Sequence, residues 1–182
     1  HCYRVGIRGG NNMLTEKNLS KLDLLPVRLQ NISVIREALK NNAIQNGIDL
    51  ECEISKLRLG GLLNSSVVDC LVLYHPIQKN RYYKYALVAE VNGVGVYYFG
   101  ESKNQKKLGN RAAAKNVIST MNSQARQNAA KGNDVGMTVT LGALIGGAKA
   151  LSSLGGSKKK QQDEDNYYTK VSALINYTLS NF

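Results

Sequence analysis

Residues 82 to 99 read YYKYALVAEVNGVGVYYF, and no other stretch restricts the fold as much. Two runs rich in Val, Tyr and Ala flank an Asn-Gly pair, which supplies the two positive-φ positions of a tight hairpin turn. With Asn92-Gly93 as the turn, Val91 faces Val94, and Tyr83, Tyr85, Leu87, Ala89 and Val91 share one face with Val94, Val96 and Tyr98. The other face carries Tyr82, Lys84, Ala86, Val88, Glu90, Tyr97 and Phe99, a mixed set that predicts partial cover rather than open water.

Elements on either side extend this hairpin. Leu29, Ile32, Ile35, Leu39 and Ala43 recur at spacings of three and four, predicting a helix over 29 to 44 that stops at Asn46-Gly47. In IDLECEI, 48 to 54, Ile48, Leu50, Cys52 and Ile54 alternate with Asp49, Glu51 and Glu53, the period of a half-buried strand with a solvated acidic side. After Gly60-Gly61, residues 67 to 74 (VVDCLVLY) are nearly continuous in apolar character, as a more buried strand is. His75-Pro76 ends that strand, and IQKNR makes a basic turn. Downstream of the hairpin, Ala113, Ala114, Val117, Ile118 and Met121 group on one helical flank while Arg111 and Lys115 leave by another. Residues 122 to 136 read as a loop, 137 to 156 alternate Gly, Ala and Leu, and 157 to 166 form a charged linker. A last helix follows, with Asp163, Glu164 and Asp165 at its start and Tyr167, Val171, Leu174 and Thr178 as its packing stripe. The expected organisation is an extension over 1–27, one α+β domain over 28–121, a Gly-rich and charged arm over 122–162, and a terminal helix over 163–182. The expected fold is an antiparallel sheet of three to four strands with helices packed on one face.

A chain of 182 residues with 43% hydrophobic and 20% charged residues belongs to the globular class. Its formal net charge of +11 favours anionic partners such as nucleic acid, acidic lipid headgroups or an acidic protein. Cys2, Cys52 and Cys70 form no CxxC pair and leave one over in any disulfide scheme, the pattern of reduced thiols, so a cytoplasmic location is expected. His1 and His75 lack partners at ligand spacing, and neither a metal nor a cofactor is expected. A chain that begins at His1 is expected to be a processed or incomplete form. Its most lipid-like stretch, MTVTLGALIGGA at 137 to 148, is shorter than the roughly 20 apolar residues of a spanning helix.

Between Ile77 and Lys131 the cations are Lys79, Arg81, Lys84, Lys103, Lys106, Lys107, Arg111, Lys115, Arg126 and Lys131, against Glu90 and Glu101. Lys106 and Lys107 fall at an expected helix start, where unpaired backbone N–H groups and the helix dipole already favour an anion. A solvated helix face without a ligand also fits a Lys-Lys pair. The run K-K-L-G-N-R-A-A-A-K-N-V-I, Lys106 to Ile118, resembles the closing helix of double-stranded RNA-binding domains, typically S-K-K-x-A-K-x-x-A-A-x-x-A-L. The resemblance covers at most residues 30 to 121. It implies that Lys106 and Lys107 clamp phosphates, that Asn110 holds the third basic position, and that Ala113 and Ala114 let helix meet sheet. It also puts Lys79 and Arg81 in the turn that carries a Gly-Pro-x-His groove contact in that family. The chain departs from the pattern at Gly109 and Asn110, lacks Gly-Pro-x-His, and inserts IDLECEI as an additional strand. Lys79, Arg81, Lys103, Lys106, Lys107, Arg111 and Lys115 are thus the expected nucleic-acid contacts, and A-form shape is what they would read.

Other chemistries find less support. TVTLGALIGGAKA, 138 to 150, misses a phosphate loop because Ala148 separates the glycines from Lys149 and Ala150 follows it. No paired carboxylates, nucleophile with a base, or metal cluster stands out, so a non-enzymatic protein is expected; His75 reads as a strand-end residue rather than a general base. The first expectation for function is therefore polyanion binding, RNA preferred. The second is a protein-protein or membrane-surface interaction module whose basic charge is incidental or directed at lipid.

Overall fold

A computed structural model describes residues 13–61, 63–100 and 156–182. The described residues form strands β1 (Leu14–Thr15) and β2 (Ser20–Leu25), helix α1 (Ile32–Gln45), strands β3 (Glu51–Leu59), β4 (Ser66–Tyr74), β5 (Lys84–Glu90) and β6 (Gly93–Phe99), and helix α2 (Gly156–Ser180). The strands make one sheet in the order β1-β3-β4-β5-β6-β2, antiparallel throughout except for the parallel pairing of β1 with β3.

The two edge strands are neighbours in sequence, and this forces the sheet to bend. In a flat sheet β1 and β2 would lie about 24 Å apart, five spacings of roughly 4.8 Å. The chain from Thr15 to Ser20 reaches at most about 17 Å even when extended, and here Glu16–Asn18 is wound into a 3-10 turn that shortens it further. The sheet accordingly curls into a half-barrel. Leu14 and Leu19, on either side of the crossing, pack against Leu57, Cys70, Val72, Ala86, Val88 and Phe99. The crossing is the chord of the curl, so this is the concave face.

Both described helices contribute to the core on the convex face. Asn31 caps α1 by accepting the Val34 N–H at 3.2 Å, and Ile35, Leu39 and Ala43 form its buried stripe. From α2, Tyr168, Val171, Leu174, Ile175 and Leu179 join Leu71, Leu73, Tyr85, Leu87, Val94 and Val96 of the sheet. The helices also meet through an Asn42 side-chain amide that donates to Thr178 Oγ1 at 2.9 Å. Tyr83 and Tyr168 stack with centroids 3.7 Å apart, and the Tyr83 N–H donates to the Tyr168 hydroxyl at 3.2 Å. Buried rings and aliphatic side chains of this size stabilise by about 1.5–3 kcal/mol each, before ordering entropy is subtracted.

The expected three- to four-stranded antiparallel sheet with helices laid on one face is overturned by this six-stranded, mixed, curled sheet. Its two edges come from residues 14–25, which read as an extension because a two-residue strand and a bulged strand carry no usable alternation. The strand expected over 48 to 54 begins at Glu51 and runs to Leu59. The final helix begins at Gly156, inside the stretch read as the Gly-rich and charged arm, and Tyr168 joins Val171, Leu174 and Thr178 on its buried side while Tyr167 is half-buried. The helix predicted around Lys106 to Met121 lies outside the described residues.

The hairpin keeps its faces but not its register. Glu90 pairs with Gly93 and Leu87 with Val96, so the turn is Val91-Asn92 rather than Asn92-Gly93. Asn92 does not take a positive φ; Gly93 does, at 151°. A shift of two residues preserves the alternation, which is why the predicted faces survive. Tyr82 and Val91 are exceptions: Tyr82 precedes β5 and reaches the convex-side core, and Val91 is fully exposed in the turn.

A Cβ at Gly93 would strike the Leu25 carbonyl oxygen where β2 ends against the hairpin. Gly93→Ala is expected to cost about 1–3 kcal/mol of unfolding free energy, measured by urea denaturation. Gly61→Ala, at a position with nothing within 4 Å, should change it by less than about 0.5 kcal/mol.

Candidate functional site

Of the seven residues expected to contact nucleic acid, Lys79 and Arg81 lie among the described residues; Lys103, Lys106, Lys107, Arg111 and Lys115 lie outside them. Lys79 and Arg81 sit in the β4–β5 connection, where the Arg81 N–H donates to the Gln78 carbonyl at 3.0 Å to close a turn. Their side chains go different ways.

Arg81 turns to α2. Its Nη2 lies 3.9 Å from Asp163 Oδ2, its Nε 3.8 Å from Glu164 Oε1, and its guanidinium 5.0 Å over the Tyr82 ring. Glu164 is buried. Arg81 thus supplies positive charge to the acidic start of the α2 segment that docks on the sheet, and a phosphate there would compete with two carboxylates.

Lys79 instead stands 5.1 Å from the ring centroid of Tyr74, and Lys84 stands 5.4 Å from the same ring. Tyr74 closes β4 and Lys84 opens β5, so strand ends set their spacing; Tyr74 and Ala86 both face the concave side. The Tyr74 hydroxyl donates to Glu53 Oε2 at 3.2 Å. Burial, then the Glu53 carboxylate, push its pKa up to about 12, so the ring stays a neutral phenol. Lys84 pairs directly with Phe99, the last residue of β6. The described chain therefore leaves the sheet beside the Lys79–Tyr74–Lys84 patch, and residues 101–155, which follow in sequence, hold eight Lys or Arg against two acidic residues. A π face with two ammonium groups is suited to an anion that also presents a flat ring. Tyr74 had no separate signal in the sequence, where it merely ends an apolar run, although three cations follow it within ten residues.

His75, next to Tyr74, is turned the other way and is buried. Its Nδ1 accepts the N–H groups of Ile77 at 3.2 Å and Gln78 at 3.0 Å, and its Nε2 lies 3.7 Å from Asp49 Oδ2. The ring stacks on Tyr82 and meets Tyr167 at a tilt, each with centroids 5.2 Å away. A nitrogen that accepts two N–H bonds cannot also carry a proton, so this imidazole is neutral and pins the turn that holds Lys79. Burial lowers its pKa, the Asp49 carboxylate opposing and Arg81 assisting. Cys52 and Cys70 are buried as well; desolvation pushes their thiols up to about 12 and about 11, well away from reactive thiolates. Among the described residues no three His, Cys, Asp or Glu side chains gather as a metal site needs, and no helix is long and apolar enough to cross a membrane.

Compared with known proteins, the chain matches no family, no curated protein and no solved structure.

Because the folded His75 resists protonation, the unfolded chain takes up the proton first as pH falls. Stability should hold above about pH 6.5, the ordinary histidine value, and decline below it toward the lowered folded pKa. Urea unfolding at pH 7, 6 and 5 checks the sign. His75→Phe, which keeps a ring but no acceptor, should lower stability at pH 7 and flatten the slope between pH 7 and 5.

Proposed function

We propose that the protein is a non-enzymatic polyanion-binding protein with RNA as its preferred ligand. The observation that carries this reading is the continuity of charge. The cation-rich residues 101–155 are joined to the sheet at the strand end where Lys79 and Lys84 flank Tyr74. Phosphates would be held by Lys106 and Lys107, with Lys103, Arg111 and Lys115 adding charge, while the Tyr74 face would take a base or ribose. The similarity of Lys106 to Ile118 to double-stranded RNA-binding domains favours duplex RNA over duplex DNA. Arg81 is left to its α2 carboxylates.

Binding of matched RNA and DNA duplexes, single-stranded RNA and anionic vesicles, measured across a salt series, tests this. Duplex RNA should bind most tightly, with log affinity falling linearly in log salt at a slope of about −0.9 per phosphate neutralised. Lys106→Glu with Lys107→Glu should abolish or sharply weaken RNA binding and flatten that slope; Lys79→Ala with Lys84→Ala should weaken it by about tenfold. Unchanged binding in the Lys106 and Lys107 double variant overturns the proposal. Preference for vesicles over every nucleic acid overturns it in favour of a membrane-surface module.

A further inference from the structure

The concave face has a second end, about 20 Å from Tyr74 along the strands. There the inside of the curl opens into a cavity of about 480 Å³, between the N-terminal crossing and the β5–β6 turn. Its walls are Leu19, Leu24, Leu57, Leu59 and Val88. Its polar lining is Glu16, Glu90, Asn92 and Tyr97. The volume lies within the range of roughly 300–1,000 Å³ that holds small organic ligands, and an apolar wall with a few converging polar groups is what such sites show.

The charges around this cavity have a definite balance. A β-bulge between Lys21 and Asp23 puts Lys21 on the same face as Leu24, three residues away, which regular alternation would not do. Lys21 Nζ reaches Glu90 Oε2 at 2.7 Å and lies 5.6 Å from the Tyr97 ring centroid. The Tyr97 hydroxyl donates to the other Glu90 oxygen. Burial raises the Glu90 carboxyl, but the Lys21 and Tyr97 bonds outweigh it and hold the group below the usual carboxylate value. Glu90 is therefore charged and neutralised. Glu16 differs: its Oε2 accepts the Gly60 N–H at 3.2 Å, a neutral donor, and among the described residues no lysine or arginine forms an ion pair with it. Among the described residues, then, this one carboxylate at the edge of an apolar cavity has no counter-charge in an ion pair.

We propose that this cavity binds a small organic cation, an amine carried on an apolar body, with the ammonium at Glu16 and the body between Leu57, Leu59 and Val88. The site is separate from the polyanion surface and opposite to it in sign. Anionic amphiphiles would meet Glu16 without compensation, and uncharged ones would gain the apolar wall alone.

Titration calorimetry of the full chain with decylamine, decanoate and 1-decanol, each below its micelle concentration, distinguishes these. The chain carries +11, so non-specific attraction favours decanoate; a preference for the amine can come only from a local field. Decylamine should bind with one-to-one saturation and at least about tenfold more tightly than decanoate. Glu16→Gln, which keeps an acceptor for Gly60, should reduce decylamine affinity about tenfold and leave 1-decanol unchanged. Leu59→Trp, a half-buried wall position, should remove binding of both. Decanoate binding as tightly as decylamine overturns the proposal, as does an amine preference that survives Glu16→Gln. Failure of decylamine to saturate the unmodified chain overturns it outright.

Discussion

The structure depends on how little chain separates its two edge strands. Four residues, Glu16 to Leu19, must join β1 to β2 across a six-stranded sheet, and only a curled sheet permits it. The curl gives the two faces different jobs. The outside has room for a layer of helix and takes the large side chains, tyrosines above all. The inside is confined, and small residues such as Cys70, Ala86 and Val88 help to fill it, with the cavity left at one end.

The same curl gives the concave face an electrical axis. Lys79 and Lys84 surround Tyr74 at one end, while Glu16 marks the other, beside a Glu90 that Lys21 neutralises. Lys84 and Glu90 are the two ends of β5, so the length of that strand sets the separation. Glu51 and Glu53 lie on β3 near the cationic end, and Lys40 answers Glu51 at 3.2 Å while the Tyr74 hydroxyl answers Glu53. These pairings leave the two ends of the face with opposite character.

Much of the sheet could be read from residue order, and what could not has a physical cause. β4, β5, β6 and α1 carry strong local periods: Ile35, Leu39 and Ala43 for the helix, Tyr85 and Leu87 opposite Tyr98 and Val96 for the hairpin. Face membership survives an error of two residues in register, because alternation repeats every two. Edge strands lack such redundancy. β1 is two residues long and β2 is broken by a bulge, so both were hidden in what read as an extension. The cavity was not legible at all, since Glu16 and Glu90 are far apart in sequence and meet only through topology. Arg81 was legible as a cation but not as a partner of Glu164, which lies on the docked helix. The Lys-Lys and alanine pattern of Lys106 to Ile118 lies outside the described residues.

Helix α2 supplies Tyr168, Leu174, Ile175 and Leu179 to a core whose other members, from Leu25 to Tyr98, precede Tyr168 by at least 70 residues. During synthesis the sheet therefore completes its strands while α1 alone of the two helices can cover its outer surface, and the part that α2 will cover is still exposed to whatever else is nascent. At elongation rates of roughly 5–20 residues per second, that interval lasts seconds. Newly made chains would spend it at risk of sticking to one another, and the charge-rich stretch between β6 and α2 would repel neighbouring copies during that wait.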